Sequence, residues 1–359
     1  MKQLRVLIFL LTLLSGAIAC QPTPSTQENP RKNAIASEGL PGEGVKVTPI
    51  QMTLNAEHFQ TAIVSKALEK LGYEVQEPHE VTMAIAFVAL ANGDADFTAI
   101  HWERLNEEWY QKNGGEEKLT KLGVLIEDTV QGYQVDKKTA AEHNITRLEQ
   151  LKDPEVAKLF DSDGNGKANL AGCPPGWGCE LAIEHHLDAY GLRETVEHDQ
   201  GEYGLLIANT IARYRQGKPI LFYTWLPMWV EQVLKPDEDT MWLEVPYTDL
   251  PEKQGELSEK DTTYKGKNLG FAIDRVLVTA NKEFIDKHPT AKKLLSLINI
   301  PKSDISAQNQ LIEEGEKSTE DILRHADEWI ERNQETFDGW IAEALKVESE
   351  KPRVQTLGL

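Results

Sequence analysis

The sequence contains the stretch Cys173-Pro-Pro-Gly-Trp-Gly-Cys179, in which two cysteines lie close enough to close a small ring. Glycines flank Trp177 within this ring, so the indole would stand on a rigid tip beside bare backbone N–H groups. The next residues, 180–192, have one apolar face and predict a helix, which would place those N–H groups at a helix N-terminus. An aromatic face beside such N–H groups suits a ligand that is cationic at one end and anionic at the other.

The cysteine count favours a structural disulfide between Cys173 and Cys179. Their spacing differs from the two-residue spacing of thiol oxidoreductases, so we do not expect a redox-active pair. The chain has three cysteines, and this pairing leaves Cys20 alone.

The N-terminus predicts export. Lys2 and Arg5 precede an apolar run over residues 6–14 and a small-residue stretch that ends at Cys20, so we interpret residues 1–20 as a signal peptide. A cysteine at this point, followed by a polar tether over residues 21–41, is typical of bacterial lipoproteins, and we expect Cys20 to be lipidated. The alternative is ordinary cleavage after Ala19, with Cys20 an incidental residue.

The composition narrows the class of partner. The formal net charge is −20, and removal of Lys2 and Arg5 with the signal makes the exported chain more acidic still. Such a chain repels phosphate backbones and anionic lipid surfaces, so we expect no nucleic-acid partner and no membrane contact except through a lipid anchor.

The pattern of apolar residues predicts an α/β fold. Short apolar strands, such as residues 96–102 and 219–225, alternate with amphipathic helices, such as residues 58–71, which Gly72 ends. This alternation favours α/β lobes in which the sheets are mostly parallel.

Three tryptophans occupy positions from which they could bind a ligand. Trp102 and Trp225 end predicted strands, and Trp177 lies in the ring. Ligands of open α/β sheets bind at the carboxyl ends of strands. A single tryptophan at such a place usually serves packing, but three together predict an aromatic box, which can hold the dispersed charge of a quaternary ammonium.

At this point the sequence resembles a known family. Residues 60–73, 90–95, 172–180 and 223–225 are similar to the ProX-type periplasmic glycine betaine/proline betaine-binding proteins, and the resemblance runs from about residue 42 to residue 345. The family members are the soluble receptors of osmoprotectant ABC importers. Membership implies a periplasmic-binding-protein type II-like fold with two lobes and a ligand cleft between them.

The resemblance also implies site residues. The aromatic box of the family falls on Trp102, Trp177 and Trp225, and its carboxylate-binding backbone N–H groups fall on Gly178 and Cys179. Asn106 stands where better-known members carry a carboxylate-contacting histidine. An asparagine amide can donate a hydrogen bond to a carboxylate but adds no positive charge, so the anion side of this site is expected to differ from theirs.

Domain organisation and partners follow from the same resemblance. We expect a discontinuous first lobe over residues 42–133 and 275–346, a second lobe over residues 134–274, and a C-terminal tail over residues 347–359. The expected partners are a small zwitterionic quaternary-ammonium ligand and an inner-membrane ABC permease with its cytoplasmic ATPase. The protein would act in the periplasm as a monomer without a cofactor.

A possible cation site precedes the ring. Residues 161–169 match the first nine positions of an EF-hand-like loop, with Asp161, Asp163 and Asn165 as ligands for calcium, but the closing acidic residue is absent. A polar turn shaped by Asx and Gly residues is the favoured alternative.

Two rival functions remain open at this stage. A receptor for choline or carnitine would share the aromatic box but need a different anion side. An exported hydrolase of choline esters would need a nucleophile and a base, and the sequence shows no recognisable motif for such a pair. We therefore expect a binding protein and no enzyme.

Overall fold

The computed structural model describes residues 39–254 and 257–349. The predicted signal peptide, Cys20, residues 21–38 of the tether and residues 350–359 of the tail lie outside these ranges. The strands are β1 (Lys46–Val47), β2 (Ile50–Gln51), β3 (Glu74–Val75), β4 (His79–Glu80), β5 (Phe97–Trp102), β6 (Leu119–Asp136), β7 (Ala168–Ala171), β8 (Val196–Asp199), β9 (Leu221–Leu226), β10 (Thr240–Trp242), β11 (Thr263–Tyr264), β12 (Lys267–Asn268) and β13 (Asp274–Asn281).

Helices cover the sheet and form the C-terminal part of the described chain. The α-helices are α1 (His58–Lys70), α2 (Met83–Asn92), α3 (Glu107–Lys112), α4 (Lys137–His143), α5 (Pro154–Ala157), α6 (Gly178–Ala189), α7 (Tyr203–Arg215), α8 (Val230–Val233), α9 (Lys282–Lys287), α10 (Pro289–Leu295), α11 (Lys302–Glu313), α12 (Thr319–Arg332) and α13 (Gln334–Ser349). The 3₁₀ turns span Asn55–Glu57, Gly115–Glu117, Leu148–Lys152, Lys158–Phe160, Glu252–Gln254 and Glu259–Thr262. No helix within the described ranges combines the length and apolar character that a membrane crossing requires.

The two helices nearest the N-terminal strands show why the sequence pattern identified them. In α1, Phe59, Ile63 and Ala67 recur every fourth residue and are buried on one face. Gly72 follows this helix with φ +91°, a backbone conformation that glycine adopts without strain. Gly93 ends α2 in the same way, with φ +78°.

The central sheet has the order β5-β13-β6-β9-β7-β8, and β10 pairs with β6. β6 is the longest strand: residues 119–129 pair with β13, and residues 130–135 pair with β9. Trp225 of β9 lies opposite Gln131, and Trp102 of β5 lies opposite Val276 of β13. Both tryptophans therefore lie near the point where β6 changes partner.

The α/β prediction is confirmed, but the expectation of a mostly parallel sheet is wrong. In the central sheet β7 runs parallel to β8 and β9, whereas the pairings of β5 with β13, β13 with β6, β6 with β9 and β6 with β10 are antiparallel. The chain crosses the sheet along β6 and returns along β13, so these two strands run in opposite directions. A boundary between lobes at residues 133 and 134 would fall within β6, and the lobe limits stay a prediction.

Removal of a buried ring from β9 tests the core. Phe222 is 0% exposed, so Phe222→Ala is expected to lower the free energy of unfolding by about 3–5 kcal/mol through lost burial and a cavity. Leu205→Ala is the matched control, because Leu205 is 67% exposed and its removal should change that free energy by less than about 0.5 kcal/mol. Urea denaturation of both variants measures the difference, and equal values would contradict this description of the core.

Candidate functional site

The ring before α6 has the predicted form. Cys173 and Cys179 are joined by a disulfide, with their Cα atoms 6.0 Å apart. Trp177 is the N-cap of α6, and Gly178 is its first residue, two positions earlier than the sequence pattern indicated. As the first two helical residues, Gly178 and Cys179 have backbone N–H groups with no acceptor inside the helix. These groups can bind an anion, which the helix dipole also favours.

The structure brings the three predicted tryptophans together. The ring centroids of Trp102 and Trp225 are 6.2 Å apart and nearly perpendicular, and those of Trp177 and Trp225 are also 6.2 Å apart. Each side chain is almost buried, with 7% of Trp102, 8% of Trp177 and 5% of Trp225 exposed. Indoles this close together, shielded from water, form a surface that attracts a cation.

One cavity connects the predicted residues. The lining comprises all six residues that the sequence nominated and five that it did not: Trp102, Asn106, Trp177, Gly178, Cys179 and Trp225, together with Met52, Glu57, Met83, Leu105 and Tyr223.

Asn106 lies next to Gly178, at the end of the ring. Its Oδ1 accepts a hydrogen bond from the backbone N–H of Trp102 at 3.0 Å, and this bond fixes the amide. The remaining group, Nδ2, lies close to Gly178, where a Cβ atom would come within 2.9 Å of it. A hydrogen-bond donor thus lies near the start of α6, where the N–H groups of Gly178 and Cys179 have no acceptor inside the helix.

Glu57 is the most unexpected residue in the lining. It ends a 3₁₀ turn just before α1, and only 6% of it is exposed. Burial raises the pKa of its carboxyl to about 8, although a hydrogen bond with the side chain of Trp102 acts in the opposite direction. Its Oε2 atom has no hydrogen-bond partner among the described residues.

Two tyrosines support the indoles. Tyr203 stacks on Trp177 at 6.2 Å and packs against Trp225 at 4.7 Å between ring centroids. Tyr223 lies 6.0 Å from Trp225, and its hydroxyl donates to Oε1 of Gln131 at 2.6 Å. Tyr223 is two residues before Trp225 on the same strand, so side-chain alternation could have placed it on the same face.

His198 fixes the base of the ring. Its Nε2 accepts from the backbone N–H of Cys173 at 2.9 Å, and its Nδ1 donates to Oε1 of Glu184 at 2.8 Å. These two bonds require the neutral ring, and burial lowers the pKa of His198 despite the opposite effect of Glu184. Gly172 makes room for this contact, because a Cβ there would come within 2.1 Å of Nε2.

Asp274 binds the turn that follows β5. Its carboxylate accepts from the backbone N–H of Arg104 at 3.0 Å, of Leu105 at 3.0 Å and of Arg275 at 2.7 Å. Burial raises its pKa to about 6, although these three N–H groups favour the ionised form. The contacts hold the turn that joins Trp102 to Asn106.

The predicted cation loop is a hydrogen-bonded turn in the structure. Asp161 accepts from the N–H groups of Gly166 and Gly164, which lower its pKa, and Asp163 accepts from the N–H of Asn165. These bonds agree with the Asx-type turn. Across residues 39–254 and 257–349, no group of three or more His, Cys, Asp or Glu side chains could hold a metal ion. Calcium binding at this loop stays a prediction.

Similarity to known sequences covers most of the chain. Residues 45–332 match the family described as the substrate-binding domain of ABC-type glycine betaine transport systems. The glycine betaine-binding periplasmic protein OusX of Dickeya dadantii is 50% identical over 310 residues, which are 86% of this chain and 92% of that protein. The glycine betaine/proline betaine-binding periplasmic protein of Escherichia coli is 48% identical over 306 residues, 85% of this chain and 92% of that protein.

The fold is also similar to that of solved structures. The glycine betaine/L-proline-binding protein ProX of Borrelia burgdorferi superposes with a TM-score of 0.63 at 21% identity, over 82% of this chain and 96% of that one. This likeness confirms a fold of the periplasmic-binding-protein type II class. With the family match and both sequence relatives, it leads to one conclusion: the chain belongs to the family of substrate-binding domains of ABC-type glycine betaine transport systems.

Proposed function

We propose that this protein binds glycine betaine or proline betaine and delivers it to an ABC importer for osmoprotection. The observation that carries the proposal is the cavity in which Trp102, Trp177 and Trp225 approach one another beside the N–H groups of Gly178 and Cys179. The family match and the names of the sequence relatives support the same ligand class.

The indoles would bind the cationic end of the ligand. A quaternary ammonium has no N–H to donate, so hydrogen-bond acceptors cannot hold it, whereas the negative faces of indole rings attract its dispersed charge. Because Trp102, Trp177 and Trp225 are nearly buried, the attraction would act in a medium of low dielectric constant, where it is stronger than in water.

The helix N-terminus and Asn106 would bind the carboxylate. The N–H groups of Gly178 and Cys179 and the Nδ2 of Asn106 are three donors that belong to residues of the same cavity lining. None of the three carries a full charge, so the carboxylate would be held by hydrogen bonds and the helix dipole and not by an ion pair.

Binding would couple to closure of the two predicted lobes. Trp102 and Asn106 belong to the expected first lobe, and Trp177, Gly178 and Trp225 to the second. A ligand that touches both would favour the closed state in proportion to its extra contacts there. The closed form would then dock on the permease, whose ATPase drives import.

The setting of this activity is also proposed. We infer export to the periplasm, attachment to a membrane through a lipid on Cys20, and action as a monomer. The periplasmic names of the relatives support the compartment, while the lipid rests on the sequence pattern around Cys20.

Competition calorimetry tests the ligand class. Glycine betaine and proline betaine are expected to bind most tightly, because each offers a quaternary nitrogen and a nearby carboxylate. Choline should bind at least about tenfold more weakly, because it cannot accept the charge-assisted hydrogen bonds of the anion side. Tighter binding of choline or carnitine than of both betaines would overturn the proposed ligand.

Replacement of the ring tryptophan tests the cage. Trp177→Ala is expected to weaken glycine betaine binding at least about thirtyfold, since a desolvated cation–indole contact contributes about 2 kcal/mol or more. Trp229→Ala is the control, because Trp229 is partly buried nearby but does not line the cavity. Thermal unfolding of both variants checks folding, and wild-type affinity in a folded Trp177→Ala protein would refute the cage.

Asn106→Asp tests the anion side without removing the acceptor for the N–H of Trp102. The change replaces the Nδ2 donor by a charged oxygen, so glycine betaine should bind about tenfold or more weakly, while choline should lose no affinity. The N-cap position of Asn106 tolerates Asp, which favours the start of α3.

Asn113→Asp, at the other end of α3, is the matched control and should leave both affinities unchanged. Isothermal titration calorimetry measures the affinity of each variant for glycine betaine and for choline, compared with that of the wild-type protein. Equal losses for glycine betaine and choline would contradict a carboxylate contact at Asn106.

A further inference from the structure

The carboxyl of Glu57 has no ion-pair partner in the described part of the chain. It is almost buried, it borders the cavity of the three tryptophans, and its Oε2 atom lacks a hydrogen-bond partner there. A buried carboxyl left in this state destabilises the fold, so such groups are rarely kept without a role.

Glu57 lies beside two of the indoles. Besides the first cavity, it borders a second one with Trp102 and Trp225, whose lining does not include Gly178, Cys179 or Asn106. The side chain of Trp102 lies close enough to the carboxyl to lower its pKa, in opposition to the larger effect of burial. The carboxyl therefore borders the space that the indoles of Trp102 and Trp225 also line.

Among the described residues, the surroundings of Glu57 offer no neutralising charge. Tyr223 of β9 lines the same cavity, and burial raises the pKa of its phenol, with smaller contributions from Tyr203, Glu57 and the buried Asp274 of β13. On its own side, His58 is turned away, with its Nε2 at 2.7 Å from the carbonyl oxygen of Met52 and 3.7 Å from Glu80.

The remaining neighbours do not titrate. Ile126 and Thr129 of β6, Val276 of β13 and Ile305 of α11 line the second cavity with Glu57. Among the residues that the structure describes, the ionisable groups around the carboxyl are thus acids and phenols, which supply no positive charge.

We propose that Glu57 is the counter-ion of the ligand's quaternary ammonium, and that binding drives the proton of its carboxyl into solvent. The inference rests on the proposed function, and it adds a second, ionic component to recognition by the indoles. It would select ligands with a formal positive charge over neutral molecules of the same shape.

The positive charge of the ligand determines whether its affinity rises or falls with pH. Without ligand, the pKa of about 8 keeps Glu57 mostly protonated at pH 7. A cation within about 4–6 Å favours the ionised form and lowers a carboxyl pKa by roughly 1–3 units. Ligand affinity should therefore rise about tenfold per pH unit between the lower pKa of the complex and about pH 8, and level off above it.

Calorimetry in buffers of different ionisation enthalpy measures the number of protons that are released when the ligand binds. At pH 7, wild-type protein is expected to release about 0.4 to 0.9 proton per glycine betaine bound, depending on the size of the pKa shift, and Glu57→Gln close to none. At a pH above 8 the variant should bind about tenfold or more weakly, because the ionised carboxylate is already present in the wild type. Gln preserves the size of the side chain and an oxygen acceptor for Trp102.

A ligand without the charge is the second control. In tert-butylacetate a quaternary carbon replaces the nitrogen of glycine betaine, with the shape and carboxylate retained. Its binding should release no proton, and Glu57→Gln should not weaken it. A general loss of structure in the variant would instead weaken both ligands and lower the thermal unfolding temperature.

The outcomes separate this inference from the proposed function. If wild-type protein binds glycine betaine without releasing a proton, and Glu57→Gln binds it equally well at every pH, Glu57 is a structural residue and the inference is overturned. If wild-type protein binds no betaine at all, the proposed function itself fails.

Discussion

The cavity depends on a close contact between two backbone segments that are far apart in sequence. A Cβ atom at Gly178 would come within 2.3 Å of the carbonyl oxygen of Leu105, so only glycine allows the start of α6 to lie against the turn after β5. Each segment is held from behind: His198 bonds the base of the ring, and Asp274 bonds the turn. The site is therefore an interface between two separately supported walls, and its width is set by main chain more than by side chains.

The charges in this space are arranged to suit a dipolar molecule. Hydrogen-bond donors from Gly178, Cys179 and Asn106 line the same cavity as the indoles and the carboxyl of Glu57. Because the tryptophans of the lining are nearly buried, both the donors and the aromatic rings would act on a ligand with little screening by water. A molecule with one charge only would gain from one end and leave the other unsatisfied, which is how such a site can discriminate against choline and against simple carboxylates.

The local sequence pattern predicts the ring and the tryptophans, but it does not predict the strand directions of the sheet or the burial of Glu57. The ring and the strand-end tryptophans were predictable, because spacing and residue type signal them directly. The parallel sheet was wrongly expected, because strand–helix alternation does not reveal that β6 and β13 cross the sheet in opposite directions. Glu57 was missed because an acid at the start of a helix usually signals exposure and a favourable dipole, and burial depends on tertiary packing.

The indoles of Trp102, Trp177 and Trp225 are buried like core residues, and this burial limits how a ligand could enter and leave the site. With Trp102, Trp177 and Trp225 each at most 8% exposed, no ligand of betaine size can reach them unless the walls separate. In the predicted opening of the lobes, the contacts to be lost include the approach of Gly178 to Leu105 and a long hydrogen bond, 3.4 Å, from Ala84 N–H to the carbonyl of Gly176. Both are weak contacts, whereas the continuous ladder of β6 can remain paired. Opening would also separate the ring of Trp102 from that of Trp225, and a bound zwitterion that touches both walls would favour the closed arrangement.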